Sequence, residues 1–310
     1  MSSLLDLRFL VLSGKGGVGR TTIAAALARA AAARGKRVLL AQTNALERLG
    51  RFLGRPGPIG PQIVSVADRL WAVNINPRDA LHEYGLIHLK YEAVYRAVFE
   101  NKTVRGFLAA IPGLDAYAML GKAWYHTREI ENGRPKYDLV ILDAPATGHA
   151  EAMLRIPQAI LDTMPHSPIG ADARAVRDLM SDPARCALVI VTLAEELPVR
   201  EAQQLATIGR HRLKMALGPL VVNGLPSKRL DDPDVANLID RVTLPTGDQP
   251  LDATMRVAAG LRAHRQTANE MLARLRAEPG LPMIELPRFN TADLGPQEIA
   301  RLANQLGAAL

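Results

Sequence analysis

Two kinds of stretch alternate along the chain. Short, mainly apolar runs occur at 9–12 (Phe-Leu-Val-Leu), 37–42, 70–75, 137–143, 187–191, 218–223 and 283–288. They lack the regular polar alternation of a half-exposed strand, so they predict strands buried on both faces, as in a parallel sheet covered by helices. Between them lie longer stretches in which apolar residues recur every three or four positions, the helical period. One is alanine-rich, at 23–34. A long one runs from 78 to about 128, carrying Ala80, Tyr84 and Ile87, then Tyr91, Val94, Tyr95 and Val98. Pro112-Gly113 breaks it, and it resumes at 114–124. Residues 151–182 predict helices broken around Pro165 and Pro168, with Leu154, Ile156, Ile160, Leu161 and Met164 on their apolar side. An arginine-rich stretch at 252–278 predicts one long helix with a solvated outer face, and 296–310 a closing helix. Residues 54–61, rich in glycine and proline, predict a surface loop.

Alternating strands and helices predict an α/β fold, a doubly wound and mostly parallel sheet. With no internal repeat, residues 1–310 form one unit. The expected helical subdomain, at about 78–130 and 150–182, is an insertion in the core.

The turn from the first strand into the first helix reads Ser13-Gly14-Lys15-Gly16-Gly17-Val18-Gly19-Arg20-Thr21-Thr22. Strand, glycine loop and helix are the context of a phosphate-binding loop, which makes the sheet one of the P-loop NTPase type. Glycines let the backbone turn its N–H groups inward, and the helix N-terminus adds a partial positive charge that favours anionic oxygens. Gly14, Gly16, Gly17, Val18, Gly19, Arg20, Thr21 and Thr22 are thus candidate nucleotide-binding residues, with Thr21 a Mg²⁺ ligand and ATP or ADP with Mg²⁺ the expected ligands. Four glycines in six positions followed by two threonines argue against a turn without a ligand. The pattern G-x-x-x-x-G-K-T is complete except that Arg20 stands where lysine is expected. Arginine keeps the charge, but its planar fork aims its donors differently.

Residues 137–143 form the clearest buried run and end in Asp143, at the sheet edge where α/β ligands sit. A carboxylate there suits the second shell of a nucleotide-bound Mg²⁺. Asn223 ends the run 218–223, and its amide offers both donor and acceptor to a purine edge.

Bulk properties narrow the reading. At 48% hydrophobic residues over 310, the chain can bury a full core. No apolar run approaches the ~18 residues a membrane-spanning helix needs. Residues 1–8 carry Asp6 and no small-residue cleavage site, so no signal peptide is expected and a cytoplasmic location is. Cys186 is the single cysteine and falls in an apolar run, which predicts a small buried hydrophobe and rules out an internal disulfide. The net charge of +7 comes from basic residues spread along the chain without aromatic interleaving, so nucleic acid is not an expected partner.

The loop Gly14-Lys15-Gly16-Gly17-Val18-Gly19 resembles the deviant Walker A loop of a family of dimeric ATPases. That family includes the arsenical pump-driving ATPase, the guided-entry ATPase for tail-anchored proteins, and the partitioning and division-site ATPases. The resemblance implies a dimer in which Lys15 acts in trans on the partner's nucleotide. Thr43-Asn44-Ala45-Leu46-Glu47-Arg48-Leu49-Gly50-Arg51 is similar to the first switch, T-D-P-A-x-x-L-x-D, but Asn44 replaces the water-positioning aspartate and Arg51 the last one. An amide neither accepts a proton as a base nor holds water through charge. Asp143-Ala144-Pro145-Ala146-Thr147-Gly148-His149 resembles the second switch, D-T-A-P-T-G-H, with the proline shifted by one. His149 is not read as a metal ligand. Thr192 to Glu201 resembles T-x-P-E-E-x-x-V-x-E minus a proline, which implies an interface contact for Glu196. Val221-Val222-Asn223 and Pro287 match the segments that hold adenine in the family.

The resemblance spans nearly the whole chain, and its departures gather in the hydrolytic parts. The expectation is an ATP-binding subunit, weak or inactive in hydrolysis. It pairs with a catalytically complete paralogue and gates a hydrophobic client or a regulatory protein. Two alternatives stand beside it: an active Mg²⁺-dependent ATPase with Arg20 in place of the lysine, and a nucleotide-independent scaffold. One cysteine disfavours arsenite export, which needs clustered thiolates.

Overall fold

A computed structural model describes residues 3–43, 48–89, 113–242, 245–291 and 293–310. Asn44, Ala45, Leu46 and Glu47 of the first-switch resemblance, and Tyr91, Val94, Tyr95 and Val98 of the long helical stretch, lie outside them.

Eight strands form one sheet: β1 (Phe9–Ser13), β2 (Val38–Thr43), β3 (Val64–Ala67), β4 (Leu70–Ile75), β7 (Leu139–Asp143), β8 (Cys186–Leu193), β9 (Leu217–Leu225) and β10 (Met283–Pro287). A separate two-stranded hairpin is made by β5 (Ile130–Glu131) and β6 (Arg134–Pro135). The order across the sheet is β10-β9-β8-β1-β7-β2-β4-β3, and β3 is the antiparallel edge. The described helices are α1 (Arg20–Ala33), α2 (Leu49–Phe52), α3 (Pro77–Leu89), α4 (Leu114–His126), α5 (Thr147–Thr163), α6 (Pro168–Ser181), α7 (Glu196–His211), α8 (Pro233–Arg241), α9 (Gln249–Ala277) and α10 (Pro296–Ala309). The doubly wound parallel sheet predicted from the apolar runs is present.

Both faces of the sheet are covered, so successive residues of β1 serve different cores. Phe9 and Val11 join one cluster with Met119, Met153, Leu179 and Leu205, from α4, α5, α6 and α7. Leu10 and Leu12 join the other with Ile23 and Leu27 of α1 and with Ile299 and Leu302 of α10. This two-sided burial is why the runs read as continuous rather than alternating. A third, small cluster of Tyr117, Leu161 and Ala173, with Tyr84, Ile156 and Ile160 packed against it, knits α3, α4, α5 and α6 together away from the sheet.

The alanines of α1 have a packing reason. Ala24, Ala25, Ala26, Ala28, Ala30 and Ala31 are all buried, because α1 is pressed between the sheet and α10. The approach is close: a Cβ added at Gly307 of α10 would lie 3.8 Å from that of Ala30.

Four elements differ from expectation. The long helix α9 is not a solvated face throughout, since Ala268, Met271, Leu272 and Leu275 pack into the core. Arg265 on it is 4% exposed and donates to Asp231 (Nη2–Oδ2 2.6 Å) and to the carbonyl of Pro226 (3.2 Å). A buried guanidinium needs such acceptors. The short strand β3, the hairpin and α8 were not anticipated.

Tight α1–α10 packing gives a direct test. Ala30→Leu should destabilise the protein by about 1–3 kcal/mol through overpacking. Ala33→Leu, on the exposed side of the same helix, should stay within about 0.5 kcal/mol of the parent. Denaturant unfolding of both checks this, and equal costs would mean that α1 is not packed as described.

Candidate functional site

The glycine loop sits at the C-terminal edge of the sheet, clamped between two strands. Gly17 and Gly19 both have φ of +89°, a conformation side chains disfavour. A Cβ on Gly14 would lie 2.0 Å from the carbonyl oxygen of Val191 in β8, and one on Gly19 would lie 2.4 Å from Nδ2 of Asn223 in β9. The loop can therefore rest on both strands only because these positions are glycine. A Cβ on Gly16 or Gly17 would meet nothing within 4 Å, so the loop's outer side is open to close approach. Val18 is buried and anchors the turn, and its carbonyl accepts from Asn223 Nδ2 at 3.0 Å. Asn223 thus holds the loop, a task its sequence context did not suggest. Gly19 is the N-cap of α1 and contributes no side-chain cap, which leaves the first-turn N–H groups for an anion.

Asp143, at the end of β7, is 5% exposed and is gripped from two sides. Thr21 Oγ1 donates to Asp143 Oδ2 at 2.6 Å, and Thr43 Oγ1 donates to the Asp143 backbone carbonyl at 3.0 Å. Thr22, next to Thr21, points into the core. Asp143 Oδ1 is buried and has no hydrogen-bond partner among the described residues. Burial raises the carboxyl's pKa above its ordinary value, opposed by the Thr21 hydrogen bond and the Arg20 charge. Arg20 Nη1 donates to the backbone carbonyl of Ala144, the residue after Asp143. The guanidinium is largely desolvated, which lowers its pKa against the pull of Asp143, but arginine stays charged.

Lys15 is folded onto its own chain. Its Nζ lies 3.3 Å from Glu201 Oε1 on α7, and Thr147 Oγ1, at the start of α5, donates to Glu201 Oε2 at 3.0 Å. The strand order β7-β1-β8 brings these three segments together.

A family model for anion-transporting ATPases matches residues 7–169, from before β1 through α5. The chain belongs to the anion-transporting ATPase family. Relatives of this chain include the ATPase BagA of Mycobacterium tuberculosis, 28% identical over 95% of this chain and 91% of its own length. An arsenical pump-driving ATPase of Escherichia coli is 29% identical over 70% of this chain and 39% of its own length. The ATPase GET3 of Kluyveromyces lactis is 28% identical over 49% of this chain and 46% of its own.

The remaining expected site residues fall as follows. Glu196 opens α7 and is exposed, with its Oε2 2.5 Å from Nη1 of Arg274 on α9. Glu201, in the same acidic segment, is the carboxylate that reaches the loop. The signal was there as the last glutamate of T-x-P-E-E-x-x-V-x-E, but nothing in the pattern ranked it over Glu196. Pro287 closes β10 opposite Leu225 and lines a cleft of ≈ 500 Å³ with Leu225, Lys228, Arg265 and Arg288, two residues along β9 from Asn223. Arg51, in place of a switch aspartate, pairs with Asp293 at 2.8 Å. Cys186 is fully buried, and burial pushes its thiol pKa up, as expected for an inert hydrophobe.

In the helical region Leu154 and Leu161 are buried, Ile156 and Ile160 are partly buried, and Met164 is exposed. Most of that apolar side therefore packs the molecule's own core. A cavity of ≈ 600 Å³ there is lined by Tyr84, Tyr117 and Trp124 together with the Lys122–Glu83 ion pair (2.8 Å). Among the described residues no helix is long and apolar enough to cross a membrane.

Asp143 yields a prediction whose sign follows from its raised pKa. The native state holds the proton more tightly than the unfolded chain, so ionising Asp143 lowers native stability as pH rises. The nucleotide-free Asp143→Asn protein should melt at or above the parent temperature at pH 7, with the gap narrowing as pH falls towards 4, near the ordinary carboxyl value. Thermal unfolding at the two pH values decides, and a variant several degrees less stable at both would contradict the assignment.

Proposed function

We propose that this chain is an ATP- and ADP-binding subunit of a dimeric ATPase of this family, weak or inactive in hydrolysis itself. It pairs with a catalytically complete paralogue and gates a client or regulatory protein through the helical region at about 78–130 and 150–182. The observation that carries the reading is the direction of Arg20. A lysine at this place reaches the β- and γ-phosphates, whereas this guanidinium is engaged by the Ala144 carbonyl. Asn44 adds to the deficit, because an amide cannot position the attacking water by charge or take its proton.

What holds a nucleotide is retained. The loop's backbone and the uncapped start of α1 suit phosphates, and Asn223 and Pro287 flank the side where a base would sit. Thr21 and Asp143 fit Mg²⁺: with its hydrogen on Asp143 the Thr21 hydroxyl keeps lone pairs for a hard cation, and Asp143, whose Oδ1 has no partner among the described residues, suits the second shell of that ion. Bound there, the ion would offset charge on the β- and γ-oxygens. Lys15 would complete the partner's site, with Glu196 at the interface. The protein's place in the cell on this reading is the cytoplasm.

A second reading, an active ATPase in which Arg20 serves as the phosphate cation, is favoured by the charge that Arg20 keeps beside Asp143. ATP binding by calorimetry and turnover by the purified chain separate the two. The expected result is Mg²⁺-dependent binding of ATP and ADP. Turnover should fall about 10³-fold or more below an intact P-loop ATPase assayed alongside, and the double substitution Arg20→Lys with Asn44→Asp should raise it. Ordinary turnover by the unmodified chain would establish the second reading, and no binding of either nucleotide would point to a scaffold.

A further inference from the structure

Gly121 stands inside α4, where glycine weakens a helix relative to alanine. It is buried, yet a Cβ added there would meet nothing within 4 Å among the described residues. No close packing calls for this glycine, and its consequence is space. It lines the ≈ 600 Å³ cavity between α3, α4 and α6, a volume in the range of small-molecule sites. No residue of the phosphate loop lines that cavity.

Lys122, the next residue, lines it with a side chain only 7% exposed. Its ammonium has three hydrogens to donate and one acceptor among the described residues, Glu83 Oε1 at 2.8 Å. A buried charge calls for more acceptors than that. Arg128, at the exposed rim, lies 4.9 Å over the Trp124 ring, and its guanidinium has no hydrogen bond or ion pair among the described residues. The unmet groups are donors on cations, so what they lack is an anionic acceptor. The acids that line the cavity are already engaged: Glu83 by Lys122, Asp172 by the Tyr84 hydroxyl (3.0 Å) and Glu129 by His126 Nδ1 (2.6 Å). With three carboxylates close by, the site suits one negative charge rather than the larger charge of a phosphate. The remaining wall is aromatic. Tyr84 and Tyr117 meet edge to face with ring centres 6.1 Å apart, and Trp124 lines the same space. Such surfaces favour a flat apolar body.

We propose that this cavity binds a small aromatic carboxylate, with Lys122 taking the carboxylate, Arg128 adding charge at the mouth, and Tyr84, Tyr117 and Trp124 packing the ring. The proposal goes beyond the dimeric-ATPase reading and does not rest on it.

Calorimetric titration of the full chain with 2-naphthoate and with indole-3-acetate, each beside its uncharged primary amide, tests this. One site per chain should take both acids, and each amide should bind more weakly by about tenfold or more, the scale of a charge-assisted hydrogen bond out of water. Arg128→Gln should weaken the acids by about two- to fivefold, the scale of an exposed charge pair. Lys122→Met keeps most of the stem and removes the ammonium, so the preference for acid over amide should drop to the about fivefold or less that Arg128 supplies. Gly121→Leu should fill the cavity and abolish binding of both acids, with a melting temperature no lower than the parent's because leucine favours a helix. The proposal is overturned if neither acid shows saturable binding, if acid and amide bind the parent alike, or if folded Gly121→Leu binds as the parent does. A Gly121→Leu chain that unfolds would mean the space is not there, and overturns it too. Should Lys122→Met fold poorly, Gly121→Leu decides: binding kept rejects the proposal, binding lost upholds it. No nucleotide is present in these titrations, so their failure is distinct from failure of the ATP-binding assay.

Discussion

A carboxylate stripped of water at the end of a central strand is the constraint on which the site depends. Asp143 can stay buried only if its neighbours supply hydrogen bonds and charge. Those neighbours are Thr21 at the start of α1 and the Arg20 guanidinium, while Thr43 at the end of β2 holds the backbone carbonyl of the same residue. The strand order makes this possible, because β7 lies between β1 and β2 and so meets residues more than a hundred positions away in the chain. The grip is incomplete, with Oδ1 left without a partner among the described residues. Native proteins satisfy nearly all such buried atoms, so the exception marks a position shaped by something other than folding stability.

The loop obeys a second constraint, that of close approach. Gly14 brings the backbone onto the Val191 carbonyl of β8 at a distance no Cβ allows, and Gly19 sits against the side-chain amide of Asn223 from β9. The result is a rigid arc whose outer side stays open, leading directly into a helix with an uncapped N-terminus. Phosphate binding needs only this backbone geometry and the helix dipole. Hydrolysis also needs side chains aimed at the reacting atoms.

Much of this was legible in the sequence because the strongest patterns lie in the parts with least freedom. Strands buried on both faces leave unbroken apolar runs, and a backbone pressed against its neighbours leaves glycines. The unread parts lack such marks. β3 alternates half-buried and exposed residues at the sheet edge, and α8 buries none of its residues. The arginines of α9 hid an inner face because Arg265 is buried only by virtue of Asp231, a contact between distant segments. The site shows the same division. Gly14 to Thr22 and Asp143 could be picked out from pattern alone, since their chemistry depends on spacing. The choice between Glu196 and Glu201 depends on where α7 begins and which way its second turn faces. The direction of Arg20 depends on a carbonyl at the end of another strand. Charge is readable from a sequence, but aim is not.

Three donors around the loop are each held by a protein acceptor: Lys15 by Glu201, Arg20 by the Ala144 carbonyl, and the Asn223 amide by the Val18 carbonyl. An arriving triphosphate would have to compete for each, and the competitions are unequal. Lys15 sits in a partly exposed ion pair, whose net worth in water is small. Arg20 is largely desolvated behind the end of β7, and drawing it out would strand the Ala144 carbonyl and remove charge from beside Asp143. Asn223 cannot turn without loosening the loop that binds the phosphates. The group an anion releases most easily is therefore Lys15, and the group it releases least easily is the one hydrolysis would need. Such an ordering suits the proposed subunit, which registers a nucleotide rather than splitting it.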